Sequence, residues 1–253
     1  MSFVVNPYRF GGGGGGPSGD FGNASRAFDG TNDYLITTDD SKAAFNYIHE
    51  DKVFTIATWV KFTDHTADSI QMIASNNTIS TLQNGFNAWY DNRSGQRTKA
   101  FVIYITHGTT GQFEILSLEN KISDNLWHHV CWTGDGTTIK FYLDGVADGT
   151  TEAVTYTGTY GNTTNLFQIG RYAPSGYLGG KIADFRIYDE DIETTAAGSV
   201  VNLFNGIDVA TGLQHWNIKD EDSVEDYALG DNPAVFYNMT DFGTTYDLDG
   251  PLD

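Results

Sequence analysis

The stretch that decides the fold is WHHVCWTGDGTTIKFYLDG, residues 127–145. Its two halves, residues 127–133 and 138–145, are rich in β-branched and aromatic residues, which favour strands. Gly134-Asp135-Gly136 separates them and is a strong turn sequence. The pattern therefore predicts an antiparallel β-hairpin, with Asp144-Gly145 forming a second tight turn at its far end.

Similar short segments recur on both sides of this hairpin, separated by turn residues. The most apolar is FTIATWVKF, residues 54–62, in which alternation places Ala57 and Trp59 on one face. The opposite face carries Phe54, Ile56, Val60 and Phe62. Because both faces are apolar, this segment is predicted to be a central strand.

Helical periodicity is nearly absent from the chain. One stretch, residues 194–204, is predicted to form a short helix, with Asp191 or Thr194 as its N-cap and Gly206 as its stop. Many short strands, frequent turns and one late helix predict an all-β fold, a sandwich of two antiparallel sheets.

The charge balance excludes one large class of partner. The chain carries 33 acidic and 14 basic residues, for a net charge of −19, and its last 34 residues hold ten acids and no Lys or Arg after Lys219. A nucleic-acid surface needs the opposite sign, so we expect no nucleic-acid partner. No apolar run is long enough to span a membrane, so we also expect no membrane insertion.

Residues 1–25 are predicted to be an arm outside the domain. Six consecutive glycines, residues 11–16, cannot pack a core and lose much backbone entropy on ordering. The side chains before them are the natural anchors for a partner's groove: Asn6, Pro7, Tyr8, Arg9 and Phe10. No charged and apolar leader typical of a signal peptide precedes them, so we expect synthesis in a cytoplasm. An unstructured terminus is the alternative.

Four motifs in order carry a family resemblance: RAFDGTNDYLITTD, FTIATWVKF, WHHVCWTGDGTTIKFYLDGV and LGGKIADFRIYDEDI. Together they resemble the laminin-G-like branch of the concanavalin A-like lectin/glucanase superfamily, over residues 25–204. The resemblance implies a jelly-roll sandwich that binds glycans, proteins or lipids and is usually not catalytic. It also implies that Asp29-Gly30 forms a turn and that Trp59 and Trp127 fill the core between the sheets.

The resemblance suggests calcium as a cofactor, but one of its ligands is displaced. Ala183 stands where the family often has an acid, and the acid has moved to Asp184, where we expect a surface ion pair with Arg186. A calcium ion would then need oxygens from a different set, for which the candidates are Asp29, Asn32 and Asp33.

The acidic C-terminal segment, residues 207–253, follows the jelly roll predicted over residues 26–206. Its stretch GLQHWNIKDEDSVEDYALGDNPAVFYNMTDF resembles the segment that commonly opens a domain of this family. This suggests a circularly permuted sandwich, completed by residues 213–218 and 234–238. Donation of that strand to a neighbouring subunit, and a loosely packed tail, are the alternatives.

Candidate binding residues lie in two segments where aromatic side chains have polar neighbours, the combination that sugars require. They are Trp89, Tyr90, Asp91 and Asn92, and Arg171, Tyr172 and Tyr177. Catalytic candidates are weaker. No strand alternates two acids as a glycosidase requires, and His128-His129 is interpreted as a structural pair.

These observations favour a non-enzymatic virion structural protein of a tailed bacteriophage, a decoration, fibre or adhesin protein. VNPYRF followed by glycines looks like the short attachment peptides of phage structural proteins. The expected partners are other virion proteins through the arm, further copies of the chain in a homo-oligomer, and a host-surface glycan. A free lectin or carbohydrate-binding module is the alternative, and a glycoside hydrolase on the same fold is a second one.

Overall fold

Two antiparallel sheets packed face to face make up the computed structural model, which confirms the predicted all-β sandwich. The structure describes residues 25–37, 43–66, 69–77, 83–94, 99–108, 111–119, 121–153, 160–163, 165–172, 176–195, 198–207, 209, 213–217, 225–227, 239–247 and 251. The predicted arm residues Asn6, Pro7, Tyr8, Arg9 and Phe10 lie outside the described residues. None of the described helices is long and apolar enough to cross a membrane.

The strands are β1 (Ser25–Asp29), β2 (Tyr34–Thr37), β3 (Val53–Phe62), β4 (Ile70–Ser75), β5 (Gly85–Asp91), β6 (Ala100–His107), β7 (Gly111–Leu116), β8 (His128–Asp135), β9 (Thr138–Leu143), β10 (Val146–Ala153), β11 (Gln168–Ile169), β12 (Gly179–Tyr188), β13 (Leu213–Asn217), β14 (Glu225–Tyr227), β15 (Met239–Phe242) and β16 (Thr245–Asp247). The helices are α1 (Asn46–His49), α2 (Ile192–Thr195) and α3 (Ser199–Phe204).

The first sheet has the order β10-β9-β8-β3-β12-β1-β16, and β13 also pairs with β12 and carries β14 beside it. The second sheet has the order β15-β2-β11-β4-β5-β6-β7. The central position predicted for residues 54–62 is therefore confirmed, because β3 pairs with β8 on one side and β12 on the other.

The hairpin quoted at the outset forms as predicted. β8 pairs with β9, and Gly136 at the turn has a φ of 86°. At the other end Leu143 pairs with Val146 across a two-residue turn in which Asp144 and Gly145 both have positive φ. This geometry matches the right-handed twist of the flanking strands.

The two faces of β3 separate as alternation predicted, but the two tryptophans expected in the core, Trp59 and Trp127, do not lie there. Trp59 lies on the outer face, where its ring stacks on Phe204 of α3 at 5.4 Å between centroids. Trp127 is also absent from the inter-sheet core cluster, and the ammonium of Lys61 lies 5.6 Å from its ring centroid. Trp132 fills the core instead, 5.3 Å from the ring of Phe141.

The single late helix is instead two short ones. Asp191 caps α2, where its Oδ1 accepts hydrogen bonds from the backbone N–H of Glu193 and Thr194. Gly198, with a φ of 86°, precedes α3, and Gly206, with a φ of 71°, follows it as the predicted stop.

The ion pair between Asp184 and Arg186 is present, but it is buried rather than on the surface. Arg186 Nε donates to Asp184 Oδ1 at 2.8 Å, and the two side chains are 1% and 4% exposed. Asp184 has a φ of 47° within a bulge of β12. β12 is flanked by β3 and β13 at this point.

The C-terminal segment pairs with both sheets of its own chain. β13 lies antiparallel to β12, β15 pairs with β2, and β16 pairs with β1. Residues 213–217 thus form a strand where one was expected, whereas residue 218 and residues 234–238 lie outside the described residues.

β1 and β13 share one edge of β12 and run in the same direction. β1 covers its first half, with Arg26 opposite Ile182, and β13 covers its second half, with Trp216 opposite Phe185. One edge of β12 is therefore covered in two pieces, from distant parts of the chain. This arrangement suits a permuted chain order, and both the permutation and the domain boundaries stay predictions.

Replacing Gly180 with Ala should destabilise the fold. A Cβ at residue 180 would lie 2.2 Å from the backbone O of Lys61, and φ there is 153°. We expect Gly180→Ala to lower the free energy of unfolding by about 3 kcal/mol or more, measured by denaturant titration.

Gly198→Ala is the matched control, because φ is 86° but nothing lies within 4 Å of the added methyl group. It should cost only about 1 kcal/mol, the backbone strain alone. Equal losses in the two variants would contradict the close approach at Gly180.

Candidate functional site

A pocket of about 310 Å³ opens where three loops meet at one end of the sandwich. The loops are the β1–β2 turn, the segments flanking the paired ends of β4 and β5, and the connection from β11 to β12. The pocket is lined by Gly30, Ser69, Ile70, Arg93, Tyr172, Gly176 and Tyr177. It is a concave surface that combines aromatic, hydroxyl and charged side chains, and we therefore take it as the candidate site.

Strand register brings these loops together. Ile70 at the start of β4 pairs with Asp91 at the end of β5, and the backbone N–H of Asn92 donates to Ser69 O at 3.2 Å. Asp29 pairs with Gly179, which places Gly30 beside the start of β12. The pocket is thus held by sheet hydrogen bonds on two sides.

Arg93 is fixed by a buried carboxylate. Its Nε donates to Asp91 Oδ1 at 3.0 Å and its Nη2 to Asp91 Oδ2 at 2.8 Å, a two-bond fork. Asp91 also accepts the backbone N–H of Arg93 at 3.1 Å and the indole N–H of Trp89 at 3.1 Å. Asp91 is fully buried, whereas the side chain of Arg93 is 35% exposed.

These bonds decide the charge state of the pair. Burial alone would raise the pKa of Asp91, but the hydrogen bonds from Arg93 and Trp89 outweigh it, so this pKa lies below its ordinary value. The hydrogen bond to Asp91 likewise raises the pKa of Arg93. Both groups are therefore ionised at neutral pH, and the guanidinium is held in one orientation.

Tyr172 forms the aromatic wall of the pocket. It packs against an apolar cluster on the outer face of the second sheet: Ile70, Met72, Trp89 and Val102. Gly176 allows this, because its φ is 81° and a Cβ there would lie 2.1 Å from Cε1 of Tyr172. Tyr172 and Tyr177 are half-buried, so each keeps an exposed surface.

The structure separates the predicted binding residues into two groups. Tyr172 and Tyr177 line the pocket, and Asp91 anchors Arg93 behind it. Asn92 is half-buried beside them. Arg171 does not line the pocket, because its guanidinium stacks 3.4 Å from the ring centroid of Tyr34 and bonds to Gln168.

Trp89 and Tyr90 were predicted as binding residues, but the structure buries both side chains. Trp89 is 1% exposed and lies within the outer apolar cluster. Tyr90 is fully buried in the inter-sheet core, 5.0 Å from Phe62 and 5.1 Å from Phe101 between ring centroids. Both residues belong to β5, which has neighbours on both sides, so no loop exposes them.

Arg93 is the main residue that the sequence analysis missed. The sequence could have predicted its contact with Asp91, because the two residues are two positions apart at a strand end. Alternation points such side chains to the same face. Ser69, Ile70 and Gly30 had no comparable signal, because only the strand register brings them to the pocket.

The predicted calcium residues form a turn at the pocket rim. Asp29 Oδ1 accepts the backbone N–H of Thr31 at 2.7 Å and of Asn32 at 3.0 Å, and Asp33 Oδ2 accepts that of Asp29 at 2.8 Å. The bonds from Asn32 and Thr31 lower the pKa of Asp29. One oxygen of each carboxylate thus closes the turn that carries Gly30.

Further metal ligands are not gathered around this turn. Within the described ranges, no group of three or more His, Cys, Asp or Glu side chains is placed to hold a metal ion. The displaced acid, Asp184, is bonded to Arg186. Calcium at Asp29, Asn32 and Asp33 stays a prediction.

Residues 29–196 match the model of the Laminin_G_3 family, described as the concanavalin A-like lectin/glucanases superfamily. The chain belongs to this family, which confirms the resemblance found in its motifs. No curated protein is significantly similar to the chain in sequence.

Solved structures show the same fold at low sequence identity. A heptameric SAP-like pentraxin from Limulus polyphemus has a TM-score of 0.57 and 13% identity, covering 93% of this chain and 100% of the pentraxin. A Bacteroides ovatus protein described as carbohydrate-binding has a TM-score of 0.60 and 15% identity. That match covers 92% of this chain, which spans only 62% of the Bacteroides protein.

A third similar structure is the CBM40 module of a Ruminococcus gnavus IT-sialidase bound to α2,3-sialyllactose. Its TM-score is 0.50 with 14% identity, and the match covers 70% of this chain and 96% of the module. At these identities the likenesses show the fold alone.

Proposed function

We propose that this chain is a non-enzymatic carbohydrate-binding protein and that the pocket beside Arg93 holds the sugar. The observation that carries the proposal is a fixed guanidinium facing the same cavity as two half-buried tyrosines. Sugar rings pack against aromatic faces while their hydroxyl groups bond to polar side chains. Tyr172 and Tyr177 supply the first contact, and Arg93 and Ser69 supply the second.

The composition of the pocket favours binding over hydrolysis. A glycosidase needs two carboxylates flanking the bond that it cleaves. The described lining of this pocket contains no Asp or Glu, and Asp91 behind it already accepts four N–H bonds. The carbohydrate-binding module and the carbohydrate-binding protein among the similar folds are in keeping with this proposal.

We extend the proposal to where the domain acts. Residues 1–25 attach it to a tailed-phage virion as a decoration, fibre or adhesin protein, in contact with other virion proteins and with further copies of itself. The support is in the sequence, where VNPYRF would serve as an anchor and the six glycines that follow it would serve as a linker. The glycan would then be one on the host surface.

Removing Tyr172 should weaken glycan binding. We expect Tyr172→Ala to reduce affinity for any glycan that the full chain captures on an array by about 10-fold. The reason is that it removes both the buried aromatic area and a ring contact worth about 0.5–1.5 kcal/mol, and about 1.4 kcal/mol corresponds to tenfold in affinity. Tyr160→Ala is the matched control, because Tyr160 packs on His107 near the opposite ends of β5 and β6. Equal losses in both variants, or no glycan binding by the unaltered chain, would contradict the proposal.

Removing the arm should abolish attachment without unfolding the domain. A chain beginning at Ser25 keeps every described strand, so we expect it to fold, by circular dichroism, but not to sediment with virus particles. Sedimentation equal to that of the full chain would contradict the role of residues 1–24.

A further inference from the structure

We infer that the sugar recognised at this pocket is acidic and that Arg93 binds its anionic group, a carboxylate or a sulfate. This inference rests on the proposed function and names its ligand class. The guanidinium has five N–H donors and no acceptor, arranged so that two separate edges can each bind an anion. Asp91 occupies one edge, and among the described residues no hydrogen bond is found at Nη1 of the other edge.

The occupied edge is the one formed by Nε and Nη2. Both atoms donate to Asp91, at 3.0 and 2.8 Å. The edge formed by Nη1 and Nη2 keeps two parallel N–H groups, and Arg93 lines the pocket with a third of its side chain exposed. Two parallel donors fit the two oxygens of a carboxylate or sulfate group.

The rest of the described lining carries no negative charge. Its polar side chains are the hydroxyl groups of Ser69, Tyr172 and Tyr177, and none of its described residues is Asp, Glu, Asn or Gln. Each hydroxyl group can donate or accept a hydrogen bond, so each can donate to an anionic oxygen. An anionic group bound by Arg93 therefore meets no acidic side chain among the described lining residues.

The acidity of the chain does not oppose this binding at short range. Two carboxylates act on Arg93: Asp91, which it bonds, and Glu114, which acts more weakly. Asp29 and Asp33 lie in the turn at the pocket rim, where each carboxylate accepts backbone N–H bonds. Acidic residues more than about 8 Å from the pocket are largely screened at physiological ionic strength. The apolar wall of Ile70 and Tyr172 then contacts the sugar ring itself.

The direct test compares pairs of ligands that differ only in the anionic group. The probe pairs are lactose and 3′-sulfolactose, 3′-sialyllactose and its methyl ester, and trigalacturonate and its methyl ester, titrated into the full chain by calorimetry. We expect one acidic probe to bind about 10- to 100-fold more tightly than its neutral counterpart, the range for a charge-assisted pair. Comparing the affinities of the sulfated and the carboxylated probes shows which anionic group is preferred.

Arg93→Gln should erase that preference, bringing the acidic probe to the affinity of the neutral one. Because this change leaves Asp91 buried without its partner, the double variant Asp91→Asn/Arg93→Gln, which removes both charges, is measured beside it. Both should remain folded enough to test, and the ligand pairs do not depend on either variant.

The outcomes separate the inference from the function. Binding of neutral and acidic probes with equal affinity overturns the acidic ligand and leaves carbohydrate binding in place. An acidic preference that survives in the double variant overturns the role of Arg93. Failure of every glycan on an array to bind overturns the proposed function itself.

Discussion

The close backbone approach at the start of β12 is the constraint on which the rest of the structure depends. Gly180 lies between β1 and β3, so near Lys61 that no side chain fits. Gly30 approaches Gly179 less closely, since a Cβ there would lie 3.3 Å from the Cα of Gly179. This contact sets the register of β12, the strand that the central β3 pairs with and that β1 and β13 cover end to end. With that register, β3 pairs along one edge of β12, and β1 and β13 pair along the other.

The pocket follows from the same register. Gly176 and Tyr177 lie just before β12, and Gly30 follows its partner β1, so the strand pairing brings both loops to one place. The second sheet contributes the other wall through the paired ends of β4 and β5. Asp91 at the end of β5 then positions Arg93, because two of the four N–H bonds that it accepts come from the Arg93 guanidinium, which lines the cavity.

How far the sequence predicts this structure depends on how local each feature is. The 127–145 hairpin and the two faces of β3 follow from turn residues and alternation, which are local. Alternation could not decide which face of β3 meets the second sheet, so Trp59 was placed in the core although it packs on Phe204 of a later helix. Tyr90 was misread for a similar reason, because its burial depends on Phe62 and Phe101 from other strands.

Only part of the site could be predicted from the sequence, because some of its residues are local to one loop and others are brought in by strand pairing. Tyr172 and Tyr177 came from a loop whose composition is visible in the sequence, whereas Ser69, Ile70 and Gly30 reach the pocket only through strand register.

The most direct test of the account is to map ligand contacts by nuclear magnetic resonance, titrating the isotope-labelled chain with the best-binding sugar. The account predicts the largest shifts at Arg93, including its Nε–H signal, and at Tyr172 and Tyr177. Shifts confined to the opposite end of the sandwich, around His107 and Tyr160, would contradict it.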